Sequence, residues 1–219
     1  MDLVIAIDGS AGSGKSTLAR TLAKRLGWPW LSTGVMYRAA TLAVLRAGID
    51  PSDTEEAVRV VKTIRIAANG DRVFLDDQDV SDEVFSSAVS ESVSLVSKIA
   101  EVRKELVALQ RSWLVVQSKG VVEGRDIGTV VFPTAVLKIY LDADLDVRGL
   151  RRPTEGASSL ARRDLVDSSR SASPLEKAAD AIEMDSGVSS PDELSDQIVK
   201  FLHERLPASM IAGQDRVGS

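Results

Sequence analysis

One octapeptide constrains this chain more than any other stretch. Gly9-Ser10-Ala11-Gly12-Ser13-Gly14-Lys15-Ser16 fits the spacing G-x-x-x-x-G-K-[ST], and it directly follows the apolar run Leu3-Val4-Ile5-Ala6-Ile7. That run predicts a buried parallel strand, and Leu18, Leu22, Ala23 and Leu26 predict an amphipathic helix immediately after the loop. Glycines accept dihedrals and close approaches that side chains forbid, so successive backbone N–H groups can converge on an anion while the helix adds its positive N-terminal end. A polyphosphate is the expected ligand, held by Gly9, Ser10, Ala11, Gly12, Ser13, Gly14, Lys15, Ser16 and Thr17. Lys15 would act as a point charge on the outer phosphates, and the Ser16 hydroxyl would reach Mg²⁺. The alternative is a Gly/Ser-rich turn with no ligand.

Composition narrows the rest. The 219 residues can bury one substantial core, and 44% hydrophobic with 4% aromatic content suits an aliphatic α/β interior. With no cysteine and a single histidine, His203, thiolate chemistry and histidine metal clusters are excluded. A formal net charge of −5 argues against a nucleic-acid partner. No basic leader opens the sequence and no apolar run approaches the ~20 residues of a membrane span, so a cytoplasmic protein without a membrane partner is expected.

Along the chain, Trp28-Pro29-Trp30-Leu31 predicts a short extended piece, and Ser32-Thr33-Gly34 opens a helix that Gly48 ends. A short helix follows from Thr54. Residues 64–67 and 72–75 alternate about Asn69-Gly70, which predicts a β-hairpin inserted into a parallel chain. Helical spacing runs from Val93 to Val116 with a break near Ala100, while 81–89 gives no clear signal. Further strands are expected at 121–123, 136–141 and 181–185, and Pro191 starts a closing helix. Between Leu141 and Ala181 the sequence is charged and arginine-rich, as a lid would be, and the polar tail 207–219 is expected to fray.

The loop alone leaves the reaction open, because switches, motors and small-molecule kinases all use it. The only asparagine is Asn69, so no Asn-Lys-x-Asp element for guanine exists, and a DNA motor would be larger and basic. What remains is a kinase that gathers two phosphate-bearing substrates with arginines. Four ordered blocks then become informative: residues 8–17; Ser32-Thr33-Gly34-Val35-Met36-Tyr37-Arg38; Glu123-Gly124-Arg125-Asp126-Ile127-Gly128-Thr129-Val130-Val131-Phe132-Pro133; and Arg163-Asp164-x-x-Asp167-x-x-Arg170 followed by Ser173-Pro174-Leu175. Through them the chain resembles the bacterial cytidylate kinase family over nearly its whole length. It departs from that family at Ser10, where proline is usual, at Val84-Phe85, which replaces an Ile-Arg pair, and in a shorter segment between Arg152 and Arg162.

The resemblance implies an α/β nucleoside monophosphate kinase fold: a five-stranded parallel core sheet with helices on both faces, an inserted NMP-binding lobe containing the hairpin, and an arginine-rich lid. The expected parts are a core at about 1–33, 101–141 and 180–206, the lobe at about 34–100 and the lid at about 142–179. It further implies transfer of the terminal phosphoryl of MgATP to CMP and dCMP by a monomer. Another monophosphate such as UMP, or a non-catalytic nucleotide sensor, is the alternative. By the same resemblance Lys15, Arg125, Arg163 and Arg170 would be catalytic. Thr33, Arg38, Ser94, Arg103, Arg125, Asp126, Arg163, Asp167 and Arg170 would bind CMP, with Asp126, Arg103 and Ser94 at the base. Arg125 and Asp126 could instead form a structural ion pair, a surface salt bridge would equally explain the Arg163 and Asp167 spacing, and Asp8 could orient the loop or a metal-bound water or serve only the fold.

Overall fold

The computed structural model describes residues 2–153, 156–169 and 173–211, with the side chains of Ser159 and Arg163 outside that description. The chain opens with strand β1 (Asp2–Gly9), whose alternate residues face opposite ways as the pleat dictates. Val4 and Ala6 enter one hydrophobic cluster with Leu31, Val35 and Val122, whereas Ile5 and Ile7 enter another with Leu18, Leu22 and Ile139. Burial on both faces explains the uninterrupted apolar run.

Helix α1 (Lys15–Leu26) follows the loop, then β2 (Trp30–Ser32), α2 (Thr33–Arg46) and α3 (Thr54–Thr63). Asp53 caps α3 by accepting from the Glu56 N–H, and Glu55 and Glu56 complement its positive end. The predicted hairpin is present as β3 (Ile66–Asn69) and β4 (Arg72–Leu75), paired antiparallel from Ile66 opposite Leu75 to Asn69 opposite Arg72. A third strand that the sequence did not signal, β5 (Gln78–Asp79), extends it. Its turn is Asp76-Asp77, both left-handed at φ 48° and 67°, a conformation that aspartate tolerates without glycine. The small sheet is stitched to the core, since Ser32 N–H donates to Gly70 O and Gly70 N–H to Trp30 O.

The ambiguous 81–89 stretch contains a 3₁₀ turn at Glu83–Phe85 and the start of α4 (Ser87–Ser97); α5 (Ala100–Gln117) begins at the expected break. Then come β6 (Gly120–Gly124), a π-helical turn at Ile127–Val131, and β7 (Ala135–Asp142). Two helices, α6 (Leu145–Arg151) and α7 (Gly156–Ser168), occupy the arginine-rich segment before β8 (Ile182–Asp185) and α8 (Pro191–Arg205). A capping box starts α8, with Ser190 and Glu193 bonding each other's backbone N–H.

The five strands of the core lie in the order β2-β6-β1-β7-β8, all parallel. Strand order reverses beside β1, so the loops after β1, β6 and β7 meet at the carboxyl edge, where open α/β sheets bind ligands. The tail corrects the expectation of fraying at its first residues. There α9 (Ala208–Ile211) buries Ile211 and lets Trp28 Nε1 donate to the Ile211 carbonyl at 2.9 Å. Among the described residues no helix is long and apolar enough to cross a membrane.

Candidate active site

The loop is built on a strained entry and a braced frame. Gly9 has φ 152°, and a Cβ there would lie 1.9 Å from the Leu141 carbonyl oxygen, so no other residue fits between β1 and β7. Ser10 Oγ donates to Asp142 Oδ1 at 2.5 Å, and the Ser13 carbonyl accepts from Ser186 Oγ at 2.7 Å. Gly9, Ser10 and Ser13 therefore support the loop, while Ala11, Gly12, Gly14, Lys15, Ser16 and Thr17 line a cavity of about 500 Å³. No acidic side chain sits in the first turn of α1, which leaves its N-terminal dipole uncompensated by the helix itself.

Lys15 folds over the loop, Nζ donating to Ser10 O at 2.6 Å. Burial and the nearby Arg125 charge lower its pKa to about 7, so an added anion is what restores its full charge. Asp8, beneath the loop, accepts from the Ile127 and Gly128 N–H groups, both at 2.7 Å. Burial raises its pKa to about 7 against the pull of those amides. Its oxygens fix the chain after β6, which favours the structural reading of this residue.

Ser16 Oγ donates to Glu123 Oε1 at 2.8 Å, and Ser32 Oγ donates to the same oxygen at 2.5 Å. Glu123 is buried at the end of β6, and its carbonyl accepts from Thr33 Oγ1 at 2.9 Å. Sequence reasoning quoted Glu123 within a motif but gave it no role; a carboxylate after the apolar pair Val121-Val122 was the available signal.

Around the same cavity lie Arg38, Ser94, Arg103, Arg125, Asp126 and Asp167. Arg38 on α2 donates to Val84 O and Ser90 Oγ, each at 3.0 Å, and its guanidinium lies 5.1 Å from the centre of the Phe85 ring. Asp126 pairs with Arg103 at 2.6 Å rather than with its neighbour Arg125, and both side chains are about 5% exposed or less. Arg103 also donates to Ser97 O and packs over Tyr37.

Arg125 instead reaches α7, pairing with Asp164 and Asp167 at 3.2 Å each and donating to Gly9 O at 3.1 Å. Asp164 and Arg148 were not singled out from the sequence. Arg148 bonds Asp164, the Ala11 carbonyl and the Ala143 carbonyl. Arg151 donates to Ser186 Oγ and Ser186 O. Arg170 and the Arg163 side chain lie outside the described residues.

Known proteins resemble this chain in fold and in sequence. Among solved structures, an unliganded sugar kinase from Janibacter sp. HTCC2649 superposes with a TM-score of 0.52 at 14% identity, covering 97% of this chain and 99% of that one. TT1252 from Thermus thermophilus gives 0.50 at 19% identity, covering 94% and 98%. These likenesses concern the fold. In sequence, the chain is 43% identical to a cytidylate kinase of Mycolicibacterium paratuberculosis over 93% of its length and 96% of the relative's. A cytidylate kinase of Mycobacterium leprae is 43% identical over 93% and 97%, and one of Corynebacterium diphtheriae is 42% identical over 92% and 95%. The family described as cytidylate kinase matches residues 5–204, nearly the whole of the sheet, the cavity and the arginine-bearing helices, and the chain belongs to that family.

Proposed function

We propose that this chain is a phosphotransferase that moves the terminal phosphoryl group of ATP to CMP, and also to dCMP, releasing ADP with CDP or dCDP. The observation that carries this reading is a single cavity lined by both the Lys15 loop and the Arg38, Arg103 and Asp126 side chains, so one space serves two anionic nucleotides. Cytosine offers an amine donor beside N3 and O2 acceptors. The Arg103–Asp126 pair presents a carboxylate next to a guanidinium, an edge of the opposite pattern, which uracil with its N3–H and O4 does not match.

In the transfer, an acceptor phosphate oxygen forms a bond to the terminal phosphorus as the bond to the bridging oxygen of ADP breaks. That oxygen is already deprotonated at neutral pH, so no side chain need act as a strong base. Lys15 and the loop amides hold the donor phosphates, Arg38 and Thr33 take the acceptor phosphate, and Arg125 lies where charge passes between them. Arg163, Asp167 and Arg170 complete the closed site from the lid. Ser16 and Glu123 fit a hard divalent cation, being a hydroxyl and a buried carboxylate with oxygen donors only, and they would hold Mg²⁺. When bound, it neutralises charge on the donor phosphates. On this reading residues 34–100 form the NMP-binding lobe and 142–179 the lid of a monomeric cytoplasmic enzyme.

The test is ADP release from MgATP with CMP, dCMP, UMP, AMP or no acceptor. CMP and dCMP should give the highest kcat/KM. Preference for UMP would replace the substrate assignment, and release with no acceptor dependence would remove the kinase reading.

A further inference from the structure

One carboxylate in the lid segment holds three donors of the kind a phosphoryl oxygen recruits. Asp164 Oδ1 accepts from the Ala11 N–H of the phosphate loop at 2.8 Å and from Arg125 at 3.2 Å, while Oδ2 accepts from Arg148. Arg148 in turn bonds the Ala11 carbonyl, and Arg125 bonds the Gly9 carbonyl, so both guanidinium groups lie against the loop with Asp164 between them. The carboxylate is only 17% exposed, and its charge is felt at short range. A surface lid needs no such anion. Two arginines forced together over a loop whose neighbouring lysine is already depressed in charge do need one.

We propose that Asp164 is a resident anion of the phosphate loop. It positions Arg125 and Arg148 and competes with incoming polyphosphate for them and for the Ala11 N–H. Binding of the donor then exchanges one anion for another, and the two arginines pass from Asp164 to the phosphates. This rests on the reading of residues 9–16 as the polyphosphate site.

The exchange predicts an effect opposite to that of an ordinary supporting residue. Asp164→Asn keeps size and an acceptor for Ala11 but removes the competing charge, so metal-free sodium tripolyphosphate should bind about tenfold more tightly by calorimetry. At the same time kcat should fall while KM for ATP does not rise, because the arginines lose the group that aims them. Asp164→Glu, which restores the charge, should return affinity toward wild type. Asp164→Ser serves as a second neutral variant if the Asn protein melts below the assay temperature, with the same tightening expected. Neutral variants that bind tripolyphosphate as wild type does, or more weakly, overturn the proposal while leaving the loop as a phosphate site. A wild-type protein that does not bind tripolyphosphate at all overturns both.

Discussion

Arg103 and Asp126 are buried together at 2.6 Å, and neither can be changed without altering what its partner faces. The family resemblance placed both at the base without linking them. Their contact couples the two. Arg103→Met leaves the Asp126 charge buried and unpaired, a loss of about 3–5 kcal/mol in stability. It also frees that carboxylate from the guanidinium that orients it. Asp126→Asn lets an amide present either oxygen or NH₂, which admits the O4 acceptor of uracil. Both variants should therefore lower the ratio of kcat/KM for CMP to that for UMP, by about tenfold to a hundredfold. Thermal melts separate the stability loss from the change in preference. A ratio that stays at the wild-type value in a folded Arg103→Met protein would leave the base to Ser94.

At the scale of elements, what could be read from the chain was what local chemistry determines. The β1–loop–α1 unit announces itself because an apolar run, the glycines and a helical stripe follow each other without interruption. The hairpin at Asn69-Gly70 is legible for the same reason. Strand β5 was not, because its turn uses Asp76-Asp77 in place of glycine. Lys15, Ser16, Arg38 and Asp126, singled out within motifs, all line the same large cavity. Glu123 and Asp164 were not given roles, since the partners that define them, Ser16 and Ala11, lie 107 and 153 positions away in sequence. The end of the chain shows the same limit: small polar residues predict fraying, yet Ile211 is buried against Trp28. Ile211→Ala should cost about 2 kcal/mol, a fall in Tm of roughly 4–8 °C for a chain of this size. The transfer rate at 25 °C should hold, because α9 lies outside the cavity lining. An unchanged Tm would mean that α9 does not contribute to the folded state in solution.

For the whole molecule, the question is how α6 and α7, proposed above as a lid, would close on two anions. Asp164 and Asp167 on α7 already pair with Arg125 after β6 and with Arg148 on α6. On the proposed reading, closure would exchange these internal carboxylates for phosphates, which is favourable only when enough negative charge is supplied at once. One nucleotide offers part of it; donor and acceptor together offer the whole, and the water expelled on closure strengthens each contact. A bisubstrate analogue joining adenosine and cytidine through a phosphate chain should accordingly slow amide exchange across α6 and α7 by about tenfold, an added local stability of ~1.4 kcal/mol. CMP alone should do markedly less, and α8, which packs against α1 and β7 instead of α6 and α7, should not respond. Equal exchange in α6 and α7 with and without the analogue would show that these helices do not act as a lid, and the arginines there would then serve the fold rather than the transferring group.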